Sequence, residues 1–266
     1  MIKYLVLGGG GGGGYSIYGA LKYLAKENFW NIDNIKSIYC TSIGAFLSIF
    51  ISLKYTWEEL DDYLIKRPWD KVIALDPTDI INIWNKKGIL NEDIIRKILD
   101  PLLIAKDLSE TITLKQLYEY NNINIHLYTT DITESVPKKV DISYKTHPDL
   151  ELYKAIAMTS AVPILFSPVI INNNYYIDGG LLNNFPLNDC ISEVNNHDEI
   201  LAIMISSKNT NINTDNQSFL SYILHIIESM RKFSSNDYNQ TIISNIVECK
   251  LDNNLNLWKE ALVSNI

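Results

Sequence analysis

The chain opens on an apolar run, Ile2–Leu7, closed by glycine. Such a run predicts a strand buried on both faces, as in a parallel sheet. Helical spacing follows over Tyr18–Lys26, then a short strand at Ser37–Thr41 and apolar positions at helical spacing over Ile43–Lys54. Strand, helix, strand, helix predicts an α/β fold in three layers: a mostly parallel central sheet with helices on both faces. From Thr56 to Tyr120 the pattern turns helical. Thr56 with Glu59, and Thr113 with Gln116, have capping-box spacing. Asn91 precedes a helix carrying Ile94, Ile95, Ile98 and Leu99. The region 56–120 therefore reads as a helical insert between sheet strands, placed to serve as a lid or wall. Ile123–Thr130 returns to strand, and Leu150–Met158 is a helix stopped by Ser160-Ala-Val-Pro163. Val169–Ile171 and Tyr175–Ile177 flank an Asn turn and read as a hairpin. Ile200–Ile205 is a further buried strand. Phe219–Phe233 places Phe219, Tyr222, Ile223, Ile226, Ile227, Met230 and Phe233 on one helical face, which is expected to point at the core, with a membrane-docking face as the alternative.

Composition narrows this picture. The 266 residues are 47% hydrophobic and 20% charged, as in ordinary globular proteins. No repeat and no Pro/Ser-rich linker divides the chain, so residues 1–266 read as a single domain. The net charge of -8 argues against nucleic acid as a partner and against a polybasic membrane patch. Cys40, Cys190 and Cys249 are odd in number and lack metal-ligand spacing. They read as reduced thiols in a reducing compartment, which suggests a cytoplasmic protein, peripheral at most to membranes. No apolar run approaches the roughly 20 residues of a membrane span. The opening run is too short for a signal-peptide core.

Glycine carries the sharpest chemical signal. Of 12 glycines, seven form the unbroken run Gly8–Gly14 between the first strand and the first helix. Backbone N–H groups exposed there suit an anion or a developing oxyanion. The run also satisfies G-x-G-x-x-G, but a homopolymer satisfies any glycine pattern, and a flexible turn is the plain alternative. Next, Cys40-Thr41-Ser42-Ile43-Gly44 ends a strand and opens a helix. That is the setting of a nucleophile elbow, G-x-S-x-G, with Gly44 in place and Cys40 at the first glycine. Taken alone, Ser42 reads as a helix N-cap before it reads as a nucleophile. Third, Asp178-Gly179-Gly180 follows a strand and is embedded in apolar sequence. A lone Asp-Gly is usually a turn. A carboxylate in such surroundings is desolvated, which makes it a better base.

These three motifs, in this order, resemble the patatin-like phospholipase family. The likeness extends over Leu7–Leu24, including Gly19-Ala20-Leu21, and over Lys87-Gly88-Ile89-Leu90 and Thr129–Thr133. It is closest over Ala155–Pro163 with Phe166 and Pro168, and covers roughly residues 1–205. The resemblance implies a lipid acyl hydrolase using a Ser–Asp dyad. Ser42 would be the nucleophile and Asp178 the base that takes its proton. Gly9, Gly10 and Gly11 would form the oxyanion hole, with Gly44, Gly179 and Gly180 as supporting motif glycines. It implies no metal and no cofactor. The implied substrate is a phospholipid or another acyl-ester lipid, met at a transient membrane surface.

Two positions depart from the family pattern. Gly13 stands where family loops usually carry Arg or Lys, and Cys40 replaces the elbow's first glycine. They motivate an alternative, a catalytically weak scaffold that binds lipid or protein. A nucleotide-binding protein using Gly8–Gly14 is a further alternative, although Glu27 and Asp33 are poorly placed to hold a ribose. His126, His147, His197 and His225 allow a Ser-His-Asp triad in principle, but none lies in a catalytic-histidine motif.

Overall fold

The computed structural model describes residues 1–72, 87–207 and 243–251, with positions 85, 222, 225–227 and 229–230 between them. Its strands are β1 (Tyr4–Leu7), β2 (Ser37–Cys40), β3 (Gly88–Leu90), β4 (Asn124–Asp131), β5 (Lys138–Ile142), β6 (Ile164–Phe166), β7 (Val169–Ile171), β8 (Asn174–Asp178), β9 (Ile200–Ser207) and β10 (Ile246–Leu251). Its helices are α1 (Gly14–Lys26), α2 (Ile43–Ser52), α3 (Trp57–Leu64), α4 (Trp69–Val72), α5 (Glu92–Ile104), α6 (Leu114–Asn121), α7 (Leu152–Ser160), α8 (Gly180–Asn183) and α9 (Leu187–Glu193).

The main sheet runs β10-β9-β1-β2-β4-β8-β7, with β5 also on β4. Pairing is parallel from β10 to β4 and antiparallel at β5, β8 and β7. Alternation along the central strands divides the core in two. Leu5, Leu7, Ile38, Cys40, Leu127, Leu201 and Ile203 pack in one cluster with residues of α1, α2, α5 and α7. Val6, Tyr39, Tyr128 and Ala202 pack in another with Leu187 and Cys190 of α9. The expected α/β layering, a mostly parallel sheet flanked by helices, is what the chain forms.

Local signals translate closely. Both expected capping boxes are made, at Thr56 with Glu59 and at Thr113 with Gln116. Asn91 caps α5 by accepting from Asp93 N–H. Three expectations need correction. Helix α1 begins at Gly14 rather than Tyr18, so its first turn also includes Tyr15, which is exposed, and Ile17, which is buried. The insert is not wholly helical: Gly88–Leu90 is a strand, paired in parallel with β6. In the stripe expected to face the core, Tyr222 (51% exposed), Ile226 (36%) and Met230 (51%) face solvent among the described residues. Phe219, Ile223 and Phe233 lie outside those residues. Among the described residues, no helix is long and apolar enough to cross a membrane.

One feature of the sheet positions everything that follows. A strand has only two edges. Leu127 of β4 pairs with Cys40 and with Ile142, while Thr129 pairs with Val140 and with Asp178. Strand β5 therefore holds one edge of β4, and β2 and β8 share the other, one after the other. Strand β2 runs parallel to β4 and β8 antiparallel, so their carboxyl ends meet head to head across Tyr128. Ser42 leaves the first end and Asp178 closes the second.

Candidate active site

Ser42 sits between the last residue of β2 and the first turn of α2. Its backbone has φ 54° and ψ -121°. A side chain there costs roughly 1–3 kcal/mol, and such conformations persist only where surroundings enforce them. The enforcement is visible. Gly44 brings the start of α2 against β1, where a Cβ would stand 2.4 Å from the Leu7 carbonyl oxygen and 2.9 Å from that of Gly8. No side chain fits, which is the physical reason for glycine two residues after the serine. Ser42 N–H donates to Thr159 Oγ1 at 3.1 Å. The Thr41 hydroxyl donates to the Asn183 carbonyl at 2.8 Å. The side chain of Ser42 makes no capping bond to α2, so it does not serve as the N-cap its sequence position suggests. Its hydroxyl stands at the positive end of a ten-residue helix, which favours a developing anion.

Cys40, the departure from the elbow pattern, is absorbed without displacement of the strand. Its thiol is fully buried, 3.3 Å from the His126 carbonyl and 3.4 Å from Ser48 Oγ. Burial pushes its pKa up to about 12, so it is an inert packing group.

Asp178 ends β8 and is buried, as is Ser42. Its Oδ1 accepts the Gly180 N–H at 2.6 Å, and its own N–H donates to the Ala161 carbonyl at 3.0 Å. The Thr130 hydroxyl donates to its carbonyl at 3.1 Å. Gly179 is demanded by close approach: a Cβ would lie 2.0 Å from the Tyr128 carbonyl oxygen. Ser42 and Gly179 are both tied to Thr159, one to its hydroxyl and one to its carbonyl. The fold thus delivers both sequence motifs to one place.

The glycine run completes this wall. A Cβ on Gly9 would lie 3.4 Å from Ser42 Cβ, so the run lies against the elbow. Gly8 N–H donates to the Ile203 carbonyl, Gly9 N–H to Asn184 and Gly13 N–H to Gly10. The Asn184 amide returns a bond to the Gly9 carbonyl at 3.2 Å. Gly9 is therefore committed to the fold, against the expectation that its N–H is an oxyanion donor. Among the described residues, the N–H groups of Gly10 and Gly11 donate to no other group. Gly11 has φ 53°, the left-handed turn that aims this part of the loop. Gly13, at the position of the family's basic residue, is buried with φ -70°, an ordinary helical value.

His126 and His147 make their contacts apart from this arrangement. His126 stacks on Tyr39, with Nδ1 2.8 Å from Asp141 Oδ2 and Nε2 2.6 Å from the Asn124 amide. His147 Nδ1 lies 2.9 Å from Thr146 Oγ1, and burial holds its pKa below the usual imidazole value. His126, Asp141 and Glu193 gather metal-type donor atoms within 4.8 Å. Asp141 Oδ2 meets His126 and the Tyr39 hydroxyl donates to Glu193 at 2.8 Å, while Asp141 Oδ1 is buried without a hydrogen-bond partner among the described residues. The cluster reads as a polar network behind the sheet.

The sequence model of the patatin-like phospholipase family matches residues 5–191. The chain belongs to that family. Over 248 residues it is 29% identical to "Probable lipid hydrolase 463L" of Invertebrate iridescent virus 6, covering 92% of this chain and 83% of the relative. An uncharacterised protein of Acanthamoeba polyphaga mimivirus is 25% identical over 186 residues, 70% of this chain and 60% of the relative. Among solved structures, VipD of Legionella pneumophila superposes with a TM-score of 0.59 at 15% identity, over 99% of this chain and 67% of that one. This last likeness is one of fold. As a patatin-like protein the chain is a lipid hydrolase by family. Thr159 and Asn184 are the structural residues that motif reading missed. Thr159 lies in the resembling stretch Ala155–Pro163, but its contacts are tertiary and leave no local pattern.

Proposed function

We propose that the protein hydrolyses fatty-acyl esters of glycerophospholipids or lysophospholipids through Ser42 and Asp178, in the manner of a phospholipase A or lysophospholipase. The observation that carries this reading is Ser42 itself: a buried serine with φ 54° and no capping bond, lying against the glycine loop and tied through Thr159 to the Asp178 turn. Stability alone does not favour that backbone.

In the proposed reaction Asp178 takes the Ser42 hydroxyl proton as Oγ bonds to the ester carbonyl carbon. The carbonyl π electrons move to oxygen, and Gly10 and Gly11 N–H hold the oxyanion. Collapse breaks the ester C–O bond, and the leaving alcohol takes the proton from Asp178. Water then attacks the acyl-serine, Asp178 accepts its proton, and the fatty acid departs as Ser42 recovers a hydrogen. No metal or cofactor enters these steps. Region 56–120 serves as the wall along the acyl chain, and residues 1–266 act as one unit. Substrate is met at a transient membrane contact, and the acidic net charge favours zwitterionic or neutral surfaces.

The test uses vesicles of a phospholipid with distinguishable chains, together with a fluorophosphonate probe. Release of one labelled chain, lost in Ser42→Ala, with wild-type labelling at Ser42 alone, is the expected result. Hydrolysis by a normally folded Ser42→Ala protein would overturn it.

A further inference from the structure

We infer that Thr159 is a positioning residue, whose side chain holds the strained nucleophile elbow and whose carbonyl holds the aspartate turn. This rests on the reading of Ser42 as nucleophile and Asp178 as base. Thr159 is fully buried in the last turn of α7. Carbonyls in that turn lack partners within the helix. The Thr159 carbonyl takes the Gly179 N–H at 3.3 Å, directly after the aspartate. Its hydroxyl oxygen accepts the Ser42 N–H, and its hydroxyl proton goes to the Tyr128 carbonyl. Tyr128 is the residue of β4 at which the ends of β2 and β8 meet. One residue therefore references the nucleophile, the base turn and the strand between them to one another.

The chemistry restricts what can do this. The group must accept from one N–H and donate to one carbonyl, in a dry space the size of a threonine side chain. A hydroxyl does both, and a methyl does neither. In the left-handed elbow Ser42 N–H has no acceptor in a strand or helix ladder, so losing Thr159 Oγ1 leaves a buried donor unsatisfied. The elbow then gains freedom to relax toward a common backbone conformation, which moves Oγ away from the glycine donors. Small displacements of reacting groups cost rate more than binding.

Three variants and two readouts test this. Thr159→Val keeps shape and removes the hydroxyl; Thr159→Ser keeps the hydroxyl and removes the methyl. Expected for Thr159→Val is a kcat lower by roughly 10- to 100-fold with KM nearly unchanged, while Thr159→Ser stays within a few-fold of wild type. Thr159→Cys, with a weak donor, should fall between them. Independently of turnover, hydrogen exchange at Ser42 N–H should quicken in Thr159→Val and return toward wild type in Thr159→Ser. Wild-type exchange at Ser42 in a folded Thr159→Val protein overturns the inference. So does full turnover by that variant. Thr159→Ser failing as badly as Thr159→Val would show the methyl, not the hydroxyl, at work. If wild type hydrolyses no acyl ester and Ser42 resists the probe, the hydrolase reading fails, and the exchange result still decides the tie.

Discussion

The elbow around Ser42 and the loop Gly8–Gly14 face each other but are built by opposite means. The elbow forces a residue with a side chain into φ 54° and encloses it with Thr159, Gly44 and the Leu7 carbonyl. The loop spends seven glycines, anchors its first two residues through Ile203 and Asn184, and leaves Gly10 and Gly11 N–H uncommitted among the described residues. On the proposed reading the difference is one of purpose. A nucleophile must be placed, so its freedom is removed. Oxyanion donors must be unspent, so their neighbours take up the pairing instead. A glycine chain loses more backbone entropy when it orders around charge, which makes the loop the weaker half.

That contrast can be broken at its strong end first. Ser42→Ala, and equally Asp178→Asn, should lower ester turnover by roughly a thousandfold or more with melting temperature unchanged, read by chromogenic-ester kinetics beside a thermal scan. Comparable activity in folded Ser42→Ala would remove the elbow from catalysis, and in folded Asp178→Asn would remove the aspartate. Gly44→Ala comes next. Its Cβ meets a backbone carbonyl at 2.4 Å, so helix and strand must part, at a cost of roughly 1–3 kcal/mol. Denaturant unfolding should show that loss, and fluorophosphonate labelling of Ser42 should slow with it.

At the weak end, Gly13→Arg places a cation where family loops usually carry one. Its φ of -70° suits a side chain, which removes the backbone objection to the substitution. Turnover should rise about tenfold, in kcat more than KM, because a charge near the oxyanion acts mainly in the transition state. A folded variant with unchanged kcat would show that cationic help already comes from elsewhere. Lys87 is a poor candidate, since its ammonium lies over the Tyr175 ring at 5.6 Å. Smallest is Gly19→Ala. Gly19 lies inside α1 with nothing within 4 Å of an added Cβ. Stability should rise by about 0.5–1 kcal/mol with activity constant. A drop would mean that this glycine has a partner at work in solution.

What could be read from sequence follows the range of the interaction responsible. Capping boxes at Thr56 and Thr113 are bonds across three residues, so their spelling is their structure. The turn at Asn172-Asn173-Asn174 and the strand-serine-helix order at Ser42 are likewise local. Strand β3 was hidden because its partner, β6, lies far along the chain and both are three residues long. Strand β5 is largely solvent-facing and shows no apolar alternation to read. Seven identical glycines conceal which N–H groups are spent, and only the contact with Asn184 distinguishes Gly9 from Gly10. Thr159 looks like any helix-end threonine until the tertiary fold brings Ser42 to it.

The shared edge of β4 has a consequence for the birth of the protein. Strand β2 and the elbow serine are made early in synthesis, and β2 takes its half of that edge once β4 has emerged. The other half stays open until β8 emerges, far later, carrying the aspartate on its last residue. On the proposed reading, a chain stopped anywhere before Asp178 holds a serine without its base. If Ser42 and Asp178 act as proposed, reactivity toward lipid is withheld from every product that ends before β8, and β9 and β10 must still follow to complete the sheet.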